Sequence, residues 1–484
     1  MLNNQIRTGK LWKRRSALWL LALVLILPFP TAVYAADEAT GEDLFHEIIH
    51  LLKNYHLSGI SEQELLEAAI NGMIERIGDP YTEYMTPNEW DQYSNSIEQQ
   101  YVGIGIRLEQ DANGVYAVEV FPESPAEEAG ILFGDYIVAV NGQSTAGKTT
   151  SEIVSMIAGE ENTTVMVTIS RSGKESTYTL TRRSIQIPTV EGKWFEERYG
   201  YIRISSFSKD ADEKFEELMI KMKGKNVQGL VIDVRGNPGG YLDTVAYIAA
   251  EFIDNGPVMY SRNKNGLESP ITVTGGYTVD FPVVILVNES SASGSEVLAG
   301  ALQDYQAAKV IGTRTYGKGS VQSLYNLSNG GVLKVTTQEY MTPKRKKVNG
   351  VGITPDIVVQ GSLPQLITAF REVGMTNLTI QAGLGKLTIN GVNFNDSLAY
   401  VTKGDRVYVH SRVLGALAGL NVEWDGKNSQ VLMQGEARRL AFDAKSPSVH
   451  QEKGLTYIDL SEYARQMEGF EWSYDNRQLT MLIR

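Results

Sequence analysis

The chain is 484 residues long, carries a formal net charge of −12 and contains no cysteine. This length predicts three or four domains, and the acidic balance argues against nucleic acid or an anionic lipid surface as the main partner. Without cysteine, the chain can form no disulfide and can use no thiol nucleophile.

Residues 1–35 have the pattern of an export signal. Basic residues precede the apolar stretch 17–27, and Val33-Tyr34-Ala35 offers a small-residue cleavage site. An uncleaved membrane anchor is the second interpretation, against which Pro28 and Pro30 count. In both cases we expect the rest of the chain to be exported across the cytoplasmic membrane. It would then be secreted, or associated with the membrane or cell wall on the outer side.

Residues 36–95 are predicted to be mainly helical. Apolar residues recur at helical spacing over 44–52 and 65–77, and Ser61–Glu64 fits a capping box before the second run. Gly78-Asp79-Pro80 ends that helix. We interpret this region as an α-hairpin whose apolar face packs against another subunit or domain.

The first predicted helix contains His46-Glu47-Ile48-Ile49-His50, which matches the H-E-x-x-H pattern of zinc proteases. The alternative is an amphipathic helix that carries two histidines. We favour the alternative, because no strand precedes the motif to frame a site and no third ligand stands out. The sequence therefore predicts no metal site and no cofactor.

Residues 96–183 are predicted to be rich in β-structure. Apolar runs at 115–120 and 165–169 indicate strands, and the strand at 134–140 leads into an Asn-Gly turn. Residues 124–130 begin a helix. Together with the glycine-containing run 101–106, these features resemble a PDZ domain. The alternative is a β-rich domain whose glycines only make turns.

The PDZ resemblance implies a site for the end of a peptide chain. In such domains an extended peptide adds as a strand beside the second β-strand, and backbone N–H groups of a glycine loop hold its terminal carboxylate. The residues that match this loop are Val102, Gly103, Ile104, Gly105 and Ile106.

Residues 184–375 alternate between predicted strands and helices, which is typical of an α/β core with buried strands. A strand at 229–234 leads into a tight glycine-rich turn and a helix at 242–253. A strand at 283–287 leads into a serine-rich turn and a helix at 295–302.

The serine-rich turn carries the candidate nucleophile, Ser293. No histidine lies between residues 57 and 409, so this stretch alone cannot supply a Ser-His-Asp triad. A lysine can act as the base if burial keeps it neutral, and Lys318 lies between two glycines, with Gln322 placed to orient it. Gly294 and the turn 238–240 offer N–H groups for an oxyanion hole. The alternative is a serine turn that only caps its helix.

Five motifs in this part of the chain resemble those of the C-terminal processing peptidases, also called tail-specific proteases. The resemblance extends from about residue 41 to 375 and includes the PDZ-like insert. The motifs are Val234–Gly240, Ser291–Glu296, Gly300–Asp304, Gly317–Gln322 and Gly352–Asp356.

This resemblance implies roles for individual residues. Ser293 corresponds to the nucleophile, Lys318 to the base and Gln322 to its partner, while Gly240 supplies an oxyanion N–H. It also implies a homodimer formed through the hairpin and the end of the catalytic domain. The chain departs from the family at Gly294, where alanine is usual, and at the basic run 344–347, which we interpret as a surface variation.

Residues 376–484 contain an internal repeat of about fifty residues. The segment 419–425 parallels 469–475, and each follows a strand-then-helix pattern and precedes a short β-run. The half-units resemble the N-terminal domain of copper amine oxidases, which implies no copper chemistry. We interpret them as an accessory domain for cell-wall contact or assembly.

The sequence thus predicts an α/β multidomain protein. Its expected parts are a signal at 1–35, a helical dimerisation hairpin at 36–95, a PDZ domain at 96–183, an α/β serine peptidase core at 184–375 and small α+β repeats at 376–484. The predicted function is that of an exported Ser-Lys endopeptidase for proteins or peptides with apolar C-termini. A catalytically silent PDZ scaffold and a zinc protease are the alternatives.

Overall fold

The computed structural model describes residues 40–111, 113–383, 386–436 and 438–484. The export signal predicted over residues 1–35 lies outside these ranges. The chain divides into two compact units, with the division after Met73. Within the described ranges, no helix is long and apolar enough to cross a membrane.

The N-terminal helices are α1 (Gly41–Tyr55) and α2 (Glu62–Ile77). The capping box predicted for the second helix is present: the Glu64 N–H donates to Ser61 Oγ at 3.2 Å, and the Ser61 N–H donates to the Glu64 carboxylate at 2.8 Å. The two helices predicted for this region are confirmed. His46 and His50 lie on α1, and both are exposed.

The next region contains a sheet with the strand order β3-β4-β5-β7-β8, in which β6 also pairs with β5. The strands β2 and β9 form a separate two-stranded sheet. Asn141 and Gly142 both have positive φ, of 49° and 76°, as a type I′ hairpin turn requires. The strand β3 forms one edge of this sheet, and α5 packs beside it. The elements are β1 (Glu83–Met85), α3 (Pro87–Ile97), β2 (Gln100–Gly103), β3 (Ile106–Asp111), β4 (Gly114–Val120), α4 (Pro125–Glu128), β5 (Tyr136–Val140), β6 (Gln143–Ser144), α5 (Thr150–Ile157), β7 (Thr164–Arg171), β8 (Lys174–Thr181) and β9 (Arg183–Gln186).

The α/β core has a six-stranded sheet in the order β10-β11-β12-β15-β16-β19, which is parallel from β11 onward. A second sheet has the order β1-β18-β13-β14, with β17 on β18. The elements are β10 (Val190–Phe195), β11 (Tyr199–Ile204), α6 (Ala211–Gly224), β12 (Gly229–Asp233), α7 (Leu242–Ala250), β13 (Gly256–Asn263), β14 (Glu268–Val273), β15 (Val283–Val287), α8 (Gly294–Asp304), β16 (Lys309–Gly312), β17 (Ser320–Asn326), β18 (Val332–Met341), β19 (Ile357–Val358) and α9 (Ser362–Glu372).

Every residue of β12 and of β15 is buried, because helices cover both faces of the parallel sheet. Leu230 and Ile232 belong to the apolar cluster that includes side chains of α6, α7 and α8, whereas Val231 belongs to the cluster that includes side chains of α9. The carboxyl ends of β12 and β15 lie next to each other, so the turns that follow them meet at one edge of the sheet.

The C-terminal region repeats a strand-helix-strand-strand unit, as predicted. The first unit is β24-α10-β25-β26 and the second is β29-α11-β30-β31; β24 pairs with β29, and β31 pairs with β20. The elements are β20 (Leu378–Gly383), β21 (Lys386–Ile389), β22 (Val392–Phe394), β23 (Tyr400–Lys403), β24 (Arg406–His410), α10 (Ser411–Ala418), β25 (Asn421–Asp425), β26 (Gln430–Gln434), β27 (Arg439–Asp443), β28 (Val449–Glu452), β29 (Leu455–Asp459), α11 (Leu460–Gln466), β30 (Phe470–Asp475) and β31 (Gln478–Ile483).

The C-terminal repeats share one hydrophobic core with the α/β sheet. The ring of Phe394 on β22 lies 6.0 Å from Phe195, 5.2 Å from Tyr201 and 6.0 Å from Phe370, measured between ring centroids. The same apolar cluster continues from α9 into the strands of the repeats. Residues 376–484 therefore complete the core of the peptidase region on the α9 side of its sheet.

We expect Phe394→Ala to lower the free energy of unfolding by about 3–5 kcal/mol, because it removes a buried ring from this shared core. Trp424→Ala is the matched control, since Trp424 is also aromatic and lies in the repeats but is 53% exposed. It should change the free energy by less than about 0.5 kcal/mol. Denaturant unfolding measures both, and equal effects would contradict a shared core.

Candidate active site

Ser293 lies at the start of α8, on the turn that follows β15. Its backbone has φ 52° and ψ −113°, a conformation that a residue with a side chain rarely adopts. Such strain costs on the order of 1–3 kcal/mol and persists only where surrounding contacts impose it. Here the Ser293 N–H donates to Glu296 at 3.0 Å, and the Tyr340 hydroxyl donates to the Ser293 carbonyl at 3.1 Å.

A cleft of about 470 Å³ brings the candidate residues together. Ser293, Lys318, Gln322 and Gly240 all line it, although they are far apart in sequence. Much of the remaining wall is aromatic or aliphatic. Its apolar members include Trp90, Tyr93, Ile97, Leu242, Val321 and Leu324.

Lys318 is partly buried in this cleft, and its Nζ lies 4.9 Å from the centroid of the Tyr81 ring. Burial lowers the pKa of Lys318, and the positive charge of Lys334 lowers it further. The carboxylates of Glu296 and Asp79 act in the opposite direction without cancelling the effect. The Lys318 amine therefore loses its proton more readily than a free lysine does.

Gln322 bonds to hydroxyl groups instead of to the lysine. Its Nε2 donates to Ser320 Oγ at 2.9 Å and to Thr336 Oγ1 at 3.2 Å. Among the hydrogen bonds of the described residues, none joins Lys318 Nζ to Gln322 or to Ser293 Oγ. Lys318 itself precedes β17, and the register of β17 against β18 shifts between Val321 and Gln322, so the two residues do not lie on one regular strand.

The turn after β12 packs directly on the serine turn. A Cβ at Gly239 would lie 2.8 Å from the Ser293 Cβ, and a Cβ at Gly240 would lie 2.2 Å from the Phe207 carbonyl oxygen. The Asn237 carbonyl accepts from the Ala292 N–H at 3.0 Å. Only glycine can occupy positions 239 and 240 at this distance.

Two backbone donors remain available at this junction. Among the described residues, the N–H groups of Gly240 and Gly294 have no hydrogen-bond acceptor. Gly294 begins α8, where the helix dipole favours negative charge. A Cβ at Gly294 would lie 3.0 Å from Val245 Cγ2 and 3.1 Å from Phe207 Cδ2, so the glycine suits tight packing there. This pair of donors can stabilise an oxyanion.

A buried ion pair supports the turn after β12. Arg235 donates from Nε and Nη2 to the Asp233 carboxylate at 2.9 and 2.6 Å, and from Nη1 to the Ser362 carbonyl at 2.8 Å. Burial by itself would raise the pKa of Asp233, but the charge and hydrogen bonds of Arg235 outweigh it and lower the pKa. The pair thereby ties the start of the turn to α9.

Glu296 joins the serine turn to the lysine loop, a role that sequence reasoning missed. One carboxylate oxygen accepts from Thr315 Oγ1 at 2.5 Å and from the Gly317 N–H at 2.7 Å; the other accepts from the N–H groups of Ser293 and Lys318 at 3.0 and 2.8 Å. Four donors on two oxygens is the pattern of an ionised carboxylate. Burial nevertheless raises the pKa of Glu296. The spacing of Ser293 and Glu296, typical of a capping box, was the available signal.

The predicted peptide-binding loop lies between β2 and the edge strand β3. Gly105 has φ 82°, and a Cβ there would lie 2.1 Å from the Ser124 Cβ. In the part of the chain that the structure describes, the N–H groups of Ile104 and Gly105 have no acceptor. Val102 is exposed, Gly103 is buried and Ile106 is half-buried. The loop thus offers free backbone donors beside an open sheet edge.

Two side chains of the basic run at 344–347 form ion pairs with acidic side chains. Lys346 pairs with Asp304 at 2.7 Å, and Arg345 pairs with Glu268. All four residues of the run are exposed, as expected for a surface variation.

Four family models match the chain. They are the activating protease CtpB N-terminal domain over residues 35–89, a PDZ domain over 116–171, peptidase family S41 over 198–359 and the copper amine oxidase N-terminal domain over 368–479.

Curated relatives match over most of their length. The carboxy-terminal processing protease CtpB of Bacillus subtilis is 34% identical over 344 residues, which cover 69% of this chain and 72% of the relative. A probable CtpA-like serine protease of Staphylococcus saprophyticus is 32% identical over 387 residues, covering 77% and 78%. A solved photosystem II D1 C-terminal processing protease is 27% identical and covers 66% of this chain and 94% of its own, but its TM-score of 0.41 adds nothing to the sequence match.

A PDZ domain joined to an α/β peptidase core defines a serine peptidase of the carboxy-terminal processing class. The identity and coverage of the Bacillus subtilis relative show the family: the chain belongs to peptidase family S41. The predicted family resemblance, the enzyme class and the α/β multidomain fold are thereby confirmed.

We expect Glu296→Gln to destabilise the protein by about 2–4 kcal/mol and to reduce peptidase activity, because an amide leaves two of the four buried donors without an acceptor. Glu289→Gln is the matched control: Glu289 is exposed and accepts one hydrogen bond, from Thr313. Thermal unfolding and peptide cleavage measure the two effects. If both variants behaved like the parent chain, Glu296 would not organise the site.

Proposed function

We propose that this S41 peptidase cleaves its substrates with Ser293 as the nucleophile and Lys318 as the general base. The observation that carries the proposal is that both residues line one cleft while a single buried carboxylate, that of Glu296, accepts from the backbone N–H of each. Nucleophile and base are thus anchored to the same point. We assign Gln322 the role of partner that orders the strand beside the base, through its two hydroxyl contacts.

In the proposed reaction, the neutral Lys318 amine takes the proton of Ser293 Oγ as that oxygen attacks the scissile carbonyl. The N–H groups of Gly240 and Gly294 donate to the developing oxyanion. The Lys318 ammonium then protonates the leaving amine, and water hydrolyses the acyl-enzyme with Lys318 again as base. Because Lys318 Nζ lies over the Tyr81 ring, its side chain must rotate towards Ser293 for the first step.

We further propose that the PDZ domain selects substrates by their C-terminal tail. The free N–H groups of Ile104 and Gly105 would hold the terminal carboxylate, and the open edge of β3 would pair with the extended tail. The loop Val102–Ile106 and the apolar catalytic cleft suit loosely structured, apolar C-termini. Protein or peptide chains are therefore the proposed substrates.

We also propose that the protein is exported, that it forms a homodimer and that its C-terminal repeats contact the cell wall. Export rests on the signal pattern of residues 1–35. A homodimer through the N-terminal hairpin is supported by exposed apolar side chains on its helices, among them Leu44, Ile48 and Met73. Cell-wall contact through the repeats is supported by the exposed Trp424, which lines a concavity of about 450 Å³ with polar neighbours.

We expect Ser293→Ala and Lys318→Met each to lower kcat by a factor of at least about 10³, since they remove the nucleophile and the base. Ser290→Ala and Lys309→Met are matched controls from the same core, because both side chains are exposed, and they should remain active. Cleavage of an unfolded protein with an apolar C-terminus measures these effects.

In the parent enzyme kcat/KM should rise with pH along a limb that lies below 10.5, the pKa of an ordinary lysine, because the neutral amine is the reactive form and burial lowers the pKa of Lys318. Activity that survives both substitutions but is lost with a chelator would move the chemistry to His46 and His50. Peptide binding without cleavage by any form would favour the silent scaffold.

We expect Gly105→Ala to raise KM for a substrate with a free C-terminal carboxylate by roughly tenfold, because the new Cβ meets Ser124 and displaces the loop. Gly173→Ala is the matched control, since Gly173 has a similar φ of 81° in the same domain but nothing within 4 Å of the added Cβ. A substrate with an amidated C-terminus should be cleaved equally by the parent and Gly105→Ala. Equal loss on both substrates would contradict carboxylate recognition.

A further inference from the structure

A second lysine, Lys334, lines the same cleft as Ser293 and Lys318. Only 12% of its side chain is exposed, which is unusual for a lysine. Its Nζ lies 2.8 Å from a carboxylate oxygen of Glu83 and 4.6 Å from the centroid of the Tyr93 ring. A charged amine is thus held at a defined place in the wall of the active-site cleft.

The strand pairing fixes where this charge lies. Lys334 on β18 is the direct partner of Glu83 on β1. On the other side, β18 pairs with β17, and Thr336 of β18 accepts the amide of Gln322. Residues two apart on a strand share a face, so Lys334 lies on the face of β18 that carries Thr336 and faces the cleft.

We propose that Lys334, held by Glu83, is a positioning residue that keeps the Lys318 amine in its neutral, proton-accepting form by like-charge repulsion. The proposal rests on the assignment of Lys318 as the general base. It gives the Glu83–Lys334 pair a part in the reaction although neither side chain touches the reacting atoms.

The other charged and titratable groups around Lys318 cannot do this. Glu296 and Asp79 are acids, whose charges favour the protonated amine. Tyr81 presents its ring to the amine, and the Tyr340 hydroxyl donates to the Lys318 carbonyl. Besides burial, Lys334 is the group that favours the neutral amine, and its charge lowers the pKa of Lys318.

Glu83 weakens the repulsion between Lys334 and Lys318, and it also fixes the position of the Lys334 amine. Its carboxylate is 56% exposed, lies 2.8 Å from Lys334 Nζ and is not part of the cleft lining that holds Lys318. The ion pair fixes the place of the Lys334 amine in the wall of the cleft. Removing either partner breaks the same contact, but the two substitutions leave opposite charges behind, and this difference separates an electrostatic role from a structural one.

The test is the pH dependence of kcat/KM for Lys334→Met, Lys334→Arg and Glu83→Gln. Lys334→Met should move the rising limb to higher pH, with activity at a fixed pH on that limb reduced roughly threefold to tenfold and recovered at higher pH. Lys334→Arg keeps the charge and should leave the limb in place. Glu83→Gln breaks the ion pair but keeps the Lys334 charge, so the limb should stay or move to lower pH.

A structural role for the ion pair predicts that Lys334→Met and Glu83→Gln lower activity alike at every pH, and that result would overturn the proposal. A second readout needs no activity: in Ser293→Ala labelled with ¹³Cε-lysine, the NMR titration of Lys318 should move to higher pH when Lys334→Met is added. If Lys318→Met is inactive and this titration does not move, the positioning role fails while the base assignment stands. If Lys318→Met retains activity, the base assignment itself fails.

Discussion

The candidate active site depends on the carboxylate of Glu296. It is fully buried on α8, yet it accepts four hydrogen bonds, from Ser293, Thr315, Gly317 and Lys318. These donors come from two segments that follow different strands of the sheet. If the carboxylate were lost, the donors would be left unpaired in a dry interior, and the strained backbone of Ser293 would lose one of the contacts that impose it. The same group therefore holds the serine turn in shape and fixes the Lys318 loop beside it.

The parallel sheet makes this arrangement possible. Its strands β12 and β15 are adjacent and end at one edge, so the turn after β12 and the serine turn meet there. Close contact between the turns requires glycine at 239 and 240, and the Asn237 carbonyl links them through the Ala292 N–H. Beneath the turns lie the Asp233–Arg235 ion pair and the buried apolar strands that support them. At this junction the N–H groups of Gly240 and Gly294 have no acceptor among the described residues.

Segments from outside the α/β core complete both the cleft and the core. Residues 81–97 supply the Tyr81 ring below Lys318, the Glu83 partner of Lys334 and the aromatic wall of α3. From the other end of the chain, Phe394 covers the ring cluster of the sheet. Residues 184–375 therefore do not contain the whole cleft and core of the peptidase. Residues 81–97 add side chains to the cleft, and Phe394 adds a ring to the core.

The sequence by itself determined the local elements and the chemical candidates. Periodicity and turn signals located the α-hairpin, the buried strands β12 and β15 and the C-terminal repeats. Such elements can be predicted because their formation depends mainly on residues that are close in sequence. The histidine-free stretch and the glycines beside Lys318 led to Ser293 and Lys318 as the candidate nucleophile and base. Only the tertiary structure decided that Gln322 bonds to Thr336, that Glu296 gathers its donors and that Lys334 meets Glu83 from 251 residues away. A bulge, a buried carboxylate and a pairing between distant strands leave no periodic trace in the sequence, since each depends on which segments the folded chain brings together.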